Sequence, residues 1–161
     1  MRLTPASPEH VRPLATVVIG GPEEQAIVQR GMAGRDIIGV MPRSRRDGSG
    51  LEDADASPEA FTRKVGWIRD AAGDRFSAIE LNTLVQTVVI TDHPRDAAAP
   101  LAKEYVMEVD QVFETPLVLI GSVDQMADAL EQRRERFGLS YVTVFEKDLE
   151  NLGKVINRLR R

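Results

Sequence analysis

The stretch Thr115–Phe145, TPLVLIGSVDQMADALEQRRERFGLSYVTVF, decides the fold. It opens on an apolar run and breaks at Gly121-Ser122. An amphipathic segment follows, with Val123, Met126, Ala127 and Leu130 on one face and Phe137 closing it. Ser122 and Gln125 form a Ser-x-x-Gln capping box at its start. Gly138 stops the helix, and the β-rich run Tyr141–Phe145 (YVTVF) reads as a buried strand. A strand leading into a helix and back into a strand is one turn of an α/β protein with parallel pairing.

The same pattern extends in both directions. Upstream, Ala15–Ile19 (ATVVI) and Asp36–Met41 (DIIGVM) are short β-branched runs expected to be buried on both faces. The first ends at Gly20-Gly21, and Pro22 opens a helix running to about Met32. Pro42–Ala56 holds three arginines, two glycines and several acids, and reads as a mobile polar surface loop. Ser57-Pro58 starts another helix, with Phe61, Val65, Ile68 and Ala72 on one face and Gly73 as a left-handed stop. Ile79–Thr91 (IELNTLVQTVVIT) reads as one long third strand, ended by Asp92-His93-Pro94. Asp96–Val109 reads as a helix with Pro100 near its start. Asp148 is expected to cap a final helix carrying Leu149, Leu152, Val155, Ile156 and Leu159. Met1–Pro13 is a proline-rich, polar lead-in.

Composition bounds the chemistry. The chain has 161 residues, enough for one domain with a real core, and residues 1–161 are read as that single domain. Hydrophobic content is 42%, charged content 29% and net charge −4, with both signs interspersed. No basic field advertises nucleic acid. There is no cysteine, which removes disulfides, thiol nucleophiles and thiolate metal sites and suits a reducing cytoplasm, the expected location. With two histidines, His10 and His93, no multi-histidine metal site is expected. The first residues lack the apolar core of a signal peptide, and no apolar run reaches membrane-spanning length, so no membrane partner is expected.

About four strands alternate with helices in the order β-α-β-α-β-α-α-β-α. A closed eight-stranded barrel takes ~250 residues. The chain therefore reads either as a small open α/β sheet or as one half of a barrel.

The words GDRF, IELN, LIGS and RRERFG in this order, with IGG before a helix and then DIIGV, resemble the luciferase-like monooxygenase superfamily. The likeness is to the branch that uses the deazaflavin coenzyme F-420. It runs from Leu14 onward and corresponds to the C-terminal half of such a protein. The resemblance implies the second half of a (β/α)8 TIM barrel, about four parallel strands with covering helices. It implies an oxidoreductase passing a hydride between F-420, or FMN in sister branches, and a small organic substrate. In this family the residues near the reactive ring lie on the first strands, so no catalytic residue carries over. A cut barrel exposes inward-facing side chains and two strand edges, which points to a homodimer or a separate barrel half as partner. A non-catalytic structural or interaction protein built on an inherited half-barrel is the alternative.

Candidate cofactor contacts follow from position. Gly20 and Gly21 precede a helix, where backbone N–H groups and the helix dipole favour phosphate, and the family's loop here meets the cofactor's phosphate region. Pro22, Glu23 and Glu24 argue for a plain strand-to-helix turn instead. Arg43, with Arg45 and Arg46, follows a strand's C-terminal end, the active face of a barrel, where it can pair with an anionic substrate or the acidic tail of F-420. A solvated basic loop is the simpler reading. Gly121-Ser122 also precedes a helix, but capping explains the serine. Glu80 and Asn82 start a strand and are expected to serve structure. His93 lies just past a strand end and is a conceivable acid–base group, more often plain surface. Trp67 and Arg133 to Arg136 are expected to pack or face solvent.

Overall fold

The computed structural model describes residues 15–18 and 37–160, with side chains described from residue 37. Gly20, Gly21 and the helix expected from Pro22 lie outside the described residues. The described residues form an α/β structure with two parallel sheets.

The main sheet has four strands in the order β1-β2-β3-β6: β1 Ala15–Val18, β2 Ile37–Met41, β3 Glu80–Val85 and β6 Leu139–Val144. Every pairing is parallel, so all four C-terminal ends lie along one edge of the sheet. The register aligns Ile38 with Leu81 and Leu81 with Leu139, and these residues share a face. Gly39, Asn82 and Tyr141 align on the opposite face. A bulge between Leu81 and Asn82 lets Ser140 slip by, which keeps both faces consistent across the sheet.

Between β2 and β3 runs α1, Pro58–Ala72. Ser57 caps it by accepting from the Ala60 N–H at 3.2 Å, and Pro58 supplies a preset first turn. Phe61, Val65 and Ile68 are buried against Ile38, Val40 and Leu81. Gly73 ends the helix with φ 54° and ψ −130°, a positive-φ stop outside the left-handed helical well, and a 3-10 turn over Gly73–Ala78 follows. Helix α4, Val123–Phe137, joins the same layer, with Phe137 meeting Phe61 at 6.2 Å between ring centroids. Its capping box forms, and Gly138 closes it at φ 73° in the left-handed region.

The long third strand expected over Ile79–Thr91 is two strands. After β3 the chain passes Gln86 and leaves the main sheet as β4, Thr87–Ile90. β4 pairs in parallel with β5, Val118–Gly121, which is the apolar run of the opening tract. All four β5 residues are buried because helices lie on both sides. Val118 and Ile120 join the core containing Ala98, Ala102 and Val112 of the helices α2, Pro94–Glu104, and α3, Val109–Glu114. Leu119 turns the other way, toward Met126, Leu130 and the Leu152 and Val155 of α5, Leu149–Leu159.

Other expectations need correction. The helix expected over Asp96–Val109 is broken: α2 ends at Glu104, Val106 takes φ 49°, and α3 starts after a Glu108–Gln111 capping box. Pro100 sits inside α2, on its exposed side, where water can satisfy the carbonyl its ring leaves unbonded. The last strand is half-buried rather than buried, with Tyr141 40% exposed and the following Phe145 45% exposed, because it lies at an end of the sheet order. Asp148 caps nothing through its side chain: its backbone is already helical, and its carboxylate is buried. Leu149 is exposed rather than part of the α5 stripe.

Candidate functional site

The C-terminal edge of the main sheet is where an α/β protein assembles a site, because the connections there are free to vary. Among the described residues its most built part is the segment after β2. The mobile loop expected over Pro42–Ala56 is tied down at both ends. Ser44 and Leu51 form an antiparallel bridge, and the Glu52 N–H donates to the Arg43 carbonyl at 2.8 Å. Asp55 and Ala56 are buried.

The tie is an ion pair. Lys64 on α1 is 1% exposed, and its Nζ donates to Asp55 Oδ2 at 2.6 Å. It also donates to the Met41 carbonyl at 2.9 Å and the Asp55 carbonyl at 3.3 Å. Asp55 Oδ2 accepts a further bond from the Arg43 N–H at 2.7 Å. Lys64 thus links the end of β2, the end of the loop and the first turns of α1. Nearby, Thr115 Oγ1 donates to the Ala56 carbonyl at 2.7 Å, joining the loop to the connection before β5.

The arginines of this loop are engaged with its own acids. Arg43 Nε lies 3.3 Å from Glu52 Oε2, and Arg45 Nη2 donates to Asp53 Oδ1 at 2.6 Å. All four side chains are about a third exposed, so these pairs are exchangeable and contribute little to stability. Arg46 is exposed. Glu52 and Asp53 thus hold the guanidinium groups that an anion at this loop would need.

The other candidates separate. Gly121 has φ 134°, and a Cβ there would meet Gln125 Oε1 at 2.6 Å. The Ser122 N–H already donates to Gln125 Oε1 and the Gln125 N–H to Ser122 Oγ, so capping uses these donors. Asn82 is buried and donates to the Tyr141 carbonyl at 3.1 Å, a structural role, while Glu80 is exposed. His93 is exposed, and its N–H donates to Thr91 Oγ1 at 3.0 Å in a local turn. In the turn after β6, Asp148 is 7% exposed with Oδ2 unpartnered among the described residues. Among the described residues no three His, Cys, Asp or Glu side chains gather as a metal would require. No helix among them is long and apolar enough to cross a membrane.

Two cations are buried among the described residues: Lys64, which the sequence did not single out, and Arg133, which packs where packing or solvent was expected. Both sit in the apolar stripe of their helix. Lys64 falls between Phe61 and Ile68 at spacings of three and four, and Arg133 falls likewise between Leu130 and Phe137. A charge inside such a stripe is the signal that finds them. Arg133 is 5% exposed, and its Nη2 donates to the carbonyls of Phe113 at 3.2 Å and Val118 at 2.5 Å. Burial pushes its pKa down to about 9, which leaves it a cation at neutral pH. Arg134 and Arg136 face outward as expected.

No family model matches the chain, and no curated protein sequence matches it.

Proposed function

We propose that this chain is the cofactor-framing half of a luciferase-like barrel, working with coenzyme F-420 or FMN on a small organic substrate once a second barrel half completes it. The observation that carries the reading is the winding of the main sheet. Its strands follow one another in chain order, β1-β2-β3-β6, with each new strand added at the same edge. A doubly wound sheet reverses direction to clothe both faces, whereas a barrel winds one way and keeps its helices outside. Helices α1 and α4 share the face of Ile38, Leu81 and Leu139. The opposite face presents Asn82, Tyr141 and Thr143, and Tyr141 is exposed. The Arg43 loop follows a C-terminal strand end, and the Gly20-Gly21 pair follows β1 in the sequence, as a cofactor site in such a barrel requires.

A second copy of the chain is the partner this reading favours, since four strands and four strands make eight. Titration calorimetry with F-420 and with FMN tests the cofactor half. Saturable heat with one of them is expected, and silence with both at high concentration refutes it. Light scattering tests the assembly. A dimer is expected, and a monomer that binds no apolar dye overturns it.

The second reading, a non-catalytic interaction protein, is favoured by one observation: Arg43 and Arg45 are held by Glu52 and Asp53 of their own loop. Specific cofactor turnover by the purified chain sinks it.

A further inference from the structure

Arg133 carries more donors than its protein partners use. A guanidinium has five N–H donors. Nη2 serves the carbonyls of Phe113 and Val118, while Nε and Nη1 are buried with no hydrogen-bond partner among the described residues. Leaving a buried donor without a partner is costly, more so when it is charged, so such a group is ordinarily satisfied by something.

Arg133 also lines open space, with its Nε and Nη1 covered by the wall. A cavity of about 200 Å³ lies among Pro94, Phe113, Ile120, Gln125, Ala129 and Gln132, with Arg133 in its wall. A second, of about 140 Å³, extends along α4 toward Glu114 and Arg136. The two share Phe113, Ala129, Gln132 and Arg133, so they form one cleft between α4 and the segment around α3. Each is many times the ~15 Å³ that one water needs. Among the described residues the only carboxylate in these walls is Glu114, and Arg136 Nη1 bonds it at 2.8 Å. Arg133 is therefore the unbalanced charge of the cleft. The rest of the lining is apolar apart from the two glutamines.

We propose that this cleft binds a small organic carboxylate, whose apolar body lies on Phe113, Ile120 and Ala129 and whose carboxylate accepts from Arg133. A carboxylate only accepts, and its bonds to guanidinium are charge-assisted, so it answers the missing partners in both charge and direction. Because Nε and Nη1 are covered, binding requires the wall to shift, and the exposed Gln132 is the lining side chain free to do so. The apolar lining selects an organic acid over a hydrated inorganic anion. The site is separate from the Arg43 loop and does not depend on the barrel reading.

The test uses the whole chain and three probes: benzoate, benzyl alcohol as its neutral counterpart, and inorganic phosphate. Binding is read from the arginine Nε–H signals in nitrogen–proton spectra and from the thermal midpoint. Benzoate is expected to shift one Nε–H signal saturably and to bind at least tenfold tighter than benzyl alcohol or phosphate. That signal disappears in Arg133→Met, which binds benzoate at least tenfold more weakly. The comparison of benzoate with benzyl alcohol needs no variant, so it stands even where Arg133→Met does not fold. Equal binding of benzoate and benzyl alcohol overturns the proposal. So does phosphate binding as tightly as benzoate, or undiminished benzoate binding by a folded Arg133→Met.

Discussion

Replacing Lys64 by methionine removes a charge while keeping the length of the side chain. In the native protein the Lys64 ammonium neutralises Asp55, and its Nζ also serves the carbonyls of Met41 and Asp55. In Lys64→Met the Asp55 carboxylate stays 6% exposed, with the Arg43 N–H as its remaining partner. Breaking a buried pair from one side costs about 3–5 kcal/mol, because the surviving charge is stranded. For a domain of this size that corresponds to a fall in Tm of roughly 6–20 °C. The double variant Asp55→Asn/Lys64→Met removes the stranded charge and leaves Arg43 an acceptor. It is expected to recover at least about 2 kcal/mol relative to Lys64→Met, since a neutral pair strands no charge, although the Met41 and Asp55 carbonyls stay without the Nζ donor in both variants. Urea denaturation followed by circular dichroism measures both. Trypsin digestion adds a local readout: cleavage at Arg43, Arg45 or Arg46 should speed up in the single variant. A loss below about 1 kcal/mol in Lys64→Met, or a double variant less stable than the single one, refutes the account of this pair as the anchor of the loop.

Gly121→Ala forces a side chain into the 2.6 Å gap to Gln125 Oε1 at φ 134°, so Gln125 must leave the capping box. A loss of about 2 kcal/mol or more is expected from strain and lost capping together, and an unchanged denaturation midpoint contradicts the geometry. Tyr105 is 7% exposed, and burial, seconded by the charge of Glu104, raises its pKa above the usual 10. Above pH 10 the unfolded tyrosine loses its proton while the folded one holds it, so stability falls as pH rises through that window. Tyr105→Phe should abolish this part of the alkaline loss, and identical pH profiles between pH 9 and 11 would remove the tyrosine as its source.

The elements legible in the sequence were those marked by local chemistry. Ser57-Pro58, the Ser122–Gln125 box and Gly138 fix the ends of α1 and α4, because capping depends on residues within a few positions of each other. The strand runs ATVVI and DIIGVM were legible from β-branching. The break at Gln86 was not, since Ile79–Thr91 is β-rich throughout. Which sheet each part joins is set by β5 and β6, some thirty to sixty residues away. The mid-helix place of Pro100 was hidden for a related reason: exposure of that helix face, a tertiary fact, is what makes the proline tolerable. At the site, the arginines of the loop were visible, but their partners Glu52 and Asp53 and the anchor Lys64 were not. The apolar stripes of α1 and α4 are legible from their hydrophobic members; Lys64 within the first is hidden because its partner Asp55 lies on the preceding loop, and the partners of Arg133 are backbone carbonyls that leave no mark in the sequence.

The departure of the chain from the main sheet at Gln86 also orders assembly in time. β3 waits for β6, whose Tyr141 lies 59 residues beyond Asn82, whereas β4 meets β5 after about half that distance. Closing the shorter loop costs less entropy and brings contacts sooner. During synthesis the β4–β5 pair and its helices form while the outer edge of β3 is still open, and that edge is the surface most exposed to wrong pairing until the last strand emerges. Pulse-labelled hydrogen exchange during refolding should protect Val88 and Ile120 before Thr83 and Val142; the reverse order would mean that the larger sheet templates the smaller.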